Sequence, residues 1–213
     1  MADATSPPCI YVLAGTNGAG KSSLAGAMFL QAGVEYFNPD QAARLIRARH
    51  PRASQTDANS AAWQEGKRLL ERAIAERLTF AFETTLGGRT MTALLERALA
   101  THLEVRVWYV GLNSPERHLA RVKARVARGG HDIPAEQIRA RYDVSRLNLV
   151  RLLPRLTELR VYDNSAEADP RAGVAPSPEL ILHMVRGKVV ESCALPKAPG
   201  WAKPILAAAY ATR

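Results

Sequence analysis

Short apolar runs alternate with longer stretches whose apolar residues recur at helical spacing. IYVLA (10–14) reads as a buried strand, and KSSLAGAMFLQAG as a helix stopped at Gly33. VEYFN (34–38) is a second strand, after which Asn38 and Pro39 supply an N-cap and a first helical position. ANSAAWQEGKRLLERAIAERL is a long helix with Trp63, Leu70, Ile74 and Leu78 on one face. TFAFE (79–83) is a third strand; Met91, Leu94, Leu95, Ala98 and Leu99 mark the next helix; VRVWYVGL (105–112) is a fourth, fully buried strand. Ser114-Pro115-Glu116 opens a helix over 115–128, Pro134 introduces another to 153, and ELRVYDN (158–164) is a fifth strand.

Strands separated by helices predict an α/β fold, a parallel five-stranded sheet with helices on both faces. After a Pro/Ala-rich loop, ILHMV and KVVES around Arg186-Gly187 predict a hairpin on the sheet edge, and ILAAAYATR a short helix. The expected organisation is a tail over 1–9, a core over 10–165 that includes a lid over 115–153, and a C-terminal part over 166–213 packed on it.

The chain has 213 residues, 47% hydrophobic and 23% charged, which suits one globular domain. No apolar run is long enough for a membrane span, and MADATSPP does not read as a signal peptide. Cys9 and Cys193 are far apart without metal-ligand spacing, so a reduced, cytoplasmic setting is expected. Net charge is +9, and residues 114–160 hold eleven Lys or Arg against five Asp or Glu. That segment suits a polyanion, either nucleic acid or a bound nucleotide, or is a solvated basic face.

The most specific signal is GTNGAGKSS (15–23), which fits G-x-x-x-x-G-K-[ST] between a strand and a helix. Gly15, Gly18 and Gly20 permit a turn whose backbone N–H groups converge on phosphate; Asn17 and Ala19 complete it, and Ser23 follows on the helix. Lys21 can reach the β- and γ-phosphates of ATP, and Ser22 can ligate Mg2+. No guanine-specificity NKxD stretch is visible, and VWYVGLNS lacks the terminal acid of motor-type ATPases.

Ligands of a parallel sheet bind beyond the strands' carboxyl ends. Asp40 falls there and is open to two roles, general base toward an acceptor hydroxyl or first-turn helix charge. Glu83 and Thr84 end the third strand, where Glu83 can hold metal through water or bind the acceptor. Asn164 can line an adenine pocket or serve an ordinary turn. Arg117, Arg121, Arg125 and Arg128 form a stripe before Gly129-Gly130-His131, and Arg139, Arg141 and Arg146 lie on the next helix. Two arginine-bearing arms about a glycine hinge have the form of a kinase lid, with Arg121, Arg125 and Arg141 favoured for phosphate and His131 either contacting it or capping the turn.

GTNGAGKSS, FNPD, FETT, RVKARVARGGHDIP with IRARY, and YDNS together resemble the zeta-toxin-like P-loop kinases, in their short, single-domain branch. The resemblance spans about residues 10–165. It implies ATP-dependent phosphorylation of a small metabolite, in well-known members a sugar hydroxyl of UDP-N-acetylglucosamine. It also implies Asp40 as general base, Glu83 at substrate and metal, lid arginines on phosphates, and an antitoxin partner over the ATP site. The chain is short beside the larger zeta toxins, and the acceptor need not be the same. Two alternatives stand beside this one. The first is a polynucleotide-end kinase, weakened because Tyr142 is the only aromatic between 114 and 155. The second is a non-catalytic, nucleotide-gated binding module.

Overall fold

A computed structural model describes residues 7–22, 29, 34, 36–130, 132–166 and 178–212. Ser23, His131, residues 1–6, most of the predicted helix to Gly33 and the loop 167–177 lie outside the described residues.

The strands β1 (Cys9–Ala14), β2 (Tyr36–Phe37), β3 (Phe80–Thr84), β4 (Glu104–Gly111), β5 (Glu158–Asp163), β6 (Glu179–Val185) and β7 (Lys188–Ser192) form one sheet in the order β2-β3-β1-β4-β5-β6-β7. The pairings among β1 to β5 are parallel; β5 to β6 and β6 to β7 are antiparallel. The predicted hairpin therefore continues the main sheet and makes it seven-stranded rather than five-stranded. Its turn places Arg186 and Gly187 at φ of 48° and 77°, the twist-matched geometry of a two-residue hairpin.

The helices are α1 (Pro39–Arg49), α2 (Gln55–Glu76), α3 (Arg89–Ala100), α4 (Pro115–Val126), α5 (Ala135–Leu152) and α6 (Lys203–Ala211). Asn38 caps α1 by accepting from the N–H groups of Asp40 and Gln41, and Ser114 caps α4 by accepting from that of Arg117. Helix α2 starts at Gln55 rather than Ala58 because Ser54 accepts from the Asp57 N–H, a cap that lies outside the apolar repeat. Of the face read as apolar on α2, Leu70 and Ile74 are buried, but Trp63 is 39% exposed and Leu78 lies beyond the helix end. No helix among the described residues is long and apolar enough to cross a membrane.

Strands β1 and β4 are buried in the centre of the sheet and are joined in the core by Leu70, Leu95, Leu149 and Leu152. The C-terminal segment adds Trp201, Ile205 and Leu206 to the same core. Trp201 crosses β4 at Gly111, where an added Cβ would stand 2.4 Å from the indole ring. Its Nε1–H donates to Asp163 Oδ1 at 3.1 Å.

Trp201→Ala should lower stability by about 3–5 kcal/mol, since it opens a cavity over Gly111 and removes one of the donors to Asp163. Urea unfolding checks this, and a loss under about 1 kcal/mol would show that the C-terminal segment is merely draped on the sheet.

Candidate active site

Register puts Ala14 beside Thr84 on one side and Tyr109 on the other, so the chain leaves β1 between two strand ends. Gly15 turns there at φ 139°, with an added Cβ only 2.1 Å from the Val110 carbonyl oxygen. Gly20, at φ 92°, lies flat against Asn164, whose Nδ2 would be 2.4 Å from a Cβ. The tight turn of the loop is thus open only to glycine at these two positions, where a Cβ would collide with Val110 and Asn164.

Lys21 is 6% exposed, and its ammonium donates to the carbonyls of Gly15 at 2.7 Å and Thr16 at 3.4 Å. Glu83 Oε1 lies 3.6 Å from the same nitrogen. Glu83 Oε2 accepts from Ser22 Oγ at 3.1 Å and from Asn38 Nδ2 at 3.2 Å. The residues predicted for phosphate, metal and acceptor are therefore gathered on one carboxylate at the end of β3. Ser22 and Glu83 offer the hard oxygen donors that suit Mg2+.

A cavity of about 540 Å³ opens beside the loop. Asn17, Lys21, Asp40, Glu83, Thr84 and Arg141 all line it, so Asp40 and the loop lysine face one crevice. Asp40 is half-exposed in the first turn of α1, and Arg125 Nη1 reaches its Oδ2 at 3.4 Å. Thr84 turns its hydroxyl inward, accepting from the Leu86 N–H at 3.1 Å. Arg141 Nη1 donates to Asn17 Oδ1 at 2.9 Å, and burial lowers its pKa against the favourable pull of Asp40.

The other arginines diverge from the predicted single stripe. Arg121 Nη2 donates to the carbonyls of Asn164 at 2.7 Å and Ala166 at 3.2 Å, while its Nη1 is 3.9 Å from the Cβ position of Gly20. Arg117 donates to the Ser165 carbonyl, and Arg128 to the Ala124 carbonyl within its own helix. Asn164 Nδ2 donates to the Ala19 carbonyl at 2.8 Å, so this residue abuts the loop itself. Its Oδ1 is buried without a hydrogen-bond partner among the described residues, a vacant acceptor beside the cradle.

Sequence reasoning missed His118. On α4 it is buried, with Nδ1 2.8 Å from the Asn17 carbonyl oxygen and its ring edge-on to Tyr142 of α5 at 5.5 Å. Burial pushes its pKa down to about 4, so near neutral pH it is uncharged and Nδ1–H is the donor to Asn17. Both oxygens of Asn17 are thus held by helices, the backbone one by α4 and the side-chain one by α5. A lone histidine within the arginine-rich helix gave no sequence signal for this role.

Fold and loop together define a P-loop, kinase-like α/β domain. The chain belongs to the AAA domain family, whose model matches residues 10–145. It is 36% identical over 129 residues to an uncharacterized protein of Haemophilus influenzae, an alignment spanning 60% of this chain and 88% of that one. The fold is similar to that in the crystal structure of AvrRxo1-ORF1:-ORF2 with ATP, at TM-score 0.66 and 14% identity over 96% of this chain. This chain spans 64% of the length of that one. A structure of the PezAT chromosomal toxin–antitoxin system of Streptococcus pneumoniae overlays at TM-score 0.57 and 14% identity, over 82% of this chain and 76% of that one.

His118→Asn keeps a donor near the Nδ1 position and should retain nucleotide affinity within about threefold, whereas His118→Gln and His118→Ala should lose at least about tenfold by calorimetry. Because the folded pKa of about 4 lies below the ordinary 6.5, His118 contributes stability above pH 6.5 that is lost as pH falls toward 4. The loss is up to about 3 kcal/mol, and His118→Asn should flatten it in urea unfolding across that window.

Proposed function

We propose that this chain is an ATP-dependent phosphotransferase of the zeta-toxin type that phosphorylates a hydroxyl of a small metabolite. The observation that carries the proposal is the shared crevice: Lys21, Asp40, Glu83 and Arg141 line one cavity at the mouth of the phosphate loop. A binding module would need the loop alone. It would not need a half-exposed carboxylate lining the same cavity as the lysine.

In this reading the acceptor O–H gives its proton to Asp40 as its oxygen bonds to the γ-phosphorus of ATP. The bond from that phosphorus to the β–γ bridging oxygen breaks, and ADP leaves. Lys21 exchanges its contacts with the Gly15 and Thr16 carbonyls for phosphate oxygens. Arg125 is paired with Asp40, so it marks the base from the lid side and is positioned to neutralise the transferred group. Arg121 and Asn164 close the cradle beside Gly20. Ser22 and Glu83 would hold Mg2+, which when bound neutralises charge on the phosphates.

The resemblance implies a nucleotide-sugar such as UDP-N-acetylglucosamine as the source of the hydroxyl. It also implies an antitoxin-like partner, which the two-component nature of the PezAT system supports. A polynucleotide-end kinase is less well supported, because the cavity at Asp40 is a pocket on one side of the loop and the basic groups Arg117 and Arg121 are turned to backbone carbonyls.

Asp40→Asn should cut phosphoryl transfer by roughly 10²–10⁴-fold while leaving ATP affinity within about threefold. Lys21→Ala should lose both. Transfer of γ-labelled phosphate and calorimetric titration of ATP check the pair; undiminished transfer by Asp40→Asn would remove Asp40 from the chemistry.

A further inference from the structure

The turn between β3 and α3 follows Glu83 directly, and Thr84, Thr85, Gly87 and Gly88 from it line the cavity. Leu86 stands among them with its side chain buried and its backbone at φ 52°. A bulky residue adopts that left-handed conformation only where its surroundings enforce it. The Leu86 N–H donates to Thr84 Oγ1 at 3.1 Å, and the Gly87 N–H to Thr85 Oγ1 at 3.3 Å. Each threonine hydroxyl therefore accepts inside the turn and keeps its own proton to donate. The carbonyls of Thr85 and Leu86 must find their donors elsewhere.

One face of α5 supplies them. Ser145 Oγ donates to the Thr85 carbonyl at 2.7 Å, and Asn148 Nδ2 to the Leu86 carbonyl at 2.8 Å. Arg141, one helical turn earlier, lies so close to the chain that a Cβ at Gly87 would stand 2.7 Å from its Cγ. Positions 141, 145 and 148 share one side of a helix, so α5 is docked along residues 85–87. A serine inside a helix commonly returns its hydroxyl to a carbonyl of its own helix. Ser145 is fully buried and instead gives its one proton to another segment. The Tyr109 hydroxyl, 2.9 Å from Ser145 Oγ, must then be the donor to it. Burial pushes the Tyr109 pKa up to about 12, which keeps that proton on the phenol. A polar chain of fixed direction thus runs from β4 through α5 to the cavity wall.

We propose that Ser145 is a positioning residue of the acceptor site. Acting through the Thr85 carbonyl, with Asn148 beside it, it holds the turn in the left-handed form that sets Thr84 and Thr85 next to Glu83. The same helix holds Asn17 of the phosphate loop through Arg141, so the loop and the turn are both referred to one rigid element. The inference rests on the phosphotransferase reading. Without its donor the Thr85 carbonyl is left unpaired and the strained turn relaxes. A shift of about 1 Å in such a wall can cost on the order of 100-fold in rate.

The test gives full-length chains γ-labelled ATP, Mg2+ and serial dilutions of a low-molecular-mass bacterial extract as the source of acceptor. Ser145→Ala should lower transfer from dilute extract at least tenfold, while ATP affinity by calorimetry stays within twofold. Asn148→Asp keeps the shape but loses the donor, and on a half-buried site it should do the same with little risk to folding. Amide exchange at Leu86 and Gly87 should quicken at least tenfold in both variants. Parallel losses of ATP affinity and transfer would reveal a general packing role and overturn the proposal. So would transfer or exchange left unchanged in the two variants. No label from the unsubstituted chain, with ATP bound, would instead overturn the phosphotransferase reading.

Discussion

The site depends on a buried ammonium held against a nearly buried carboxylate. Lys21 and Glu83 are 3.6 Å apart, with side chains 6% and 9% exposed. A charge so placed is tolerable only when paired and hydrogen-bonded. The protein meets that demand from four segments at once: Gly15 and Thr16 of the loop, Ser22 opening the next helix, Asn38 capping α1, and Glu83 ending β3. Asn38 is spent twice, its oxygen on the α1 cap and its nitrogen on Glu83. The cap that starts α1 therefore also fixes where Asp40 stands relative to the phosphate loop.

A second layer of constraint comes from α4 and α5. The carbonyl of His118 lies 2.7 Å from the Cβ position of Gly18, and its ring grips the Asn17 carbonyl. Arg141 takes the Asn17 side chain, and Thr16 Oγ1 donates to the Arg141 carbonyl at 3.4 Å. Helices α4 and α5 are thus fastened to the loop itself. Movement of these two helices would be felt by the backbone of the loop.

Much of the fold was legible because it rests on local rules. Short apolar runs marked the strands and period-3.6 patterning the helices, and Asn38 and Ser114 acted as the caps their spacing suggested. The glycine loop was legible because its chemistry leaves few sequence solutions. What was not legible is long-range. The hairpin 179–192 was read onto the sheet edge, yet the sheet was still counted as five-stranded; β6 pairs antiparallel with β5 and β7 with β6, which makes it seven. Trp63 carried a core-like spacing, yet the cavity claims it. His118 had no motif, since its partner is a backbone carbonyl 101 positions away. The arginines were visible as a set, but their targets are carbonyls after β5 and a carboxylate after β2, which spacing within one helix does not encode.

Asp163 ends β5 and accepts from both the Trp201 indole and the Ser165 hydroxyl, while Ser165 Oγ accepts from the Asn113 N–H. The turn that carries Asn164 to the loop is therefore braced by a residue translated almost forty positions later. A ribosome that has released only the stretch through β5 would present this flank of the sheet bare, with β4 lacking the ring that covers Gly111. Assembly of the phosphate cradle in its final form thus waits on late synthesis. Until then the nascent chain exposes an apolar flank that the finished molecule hides.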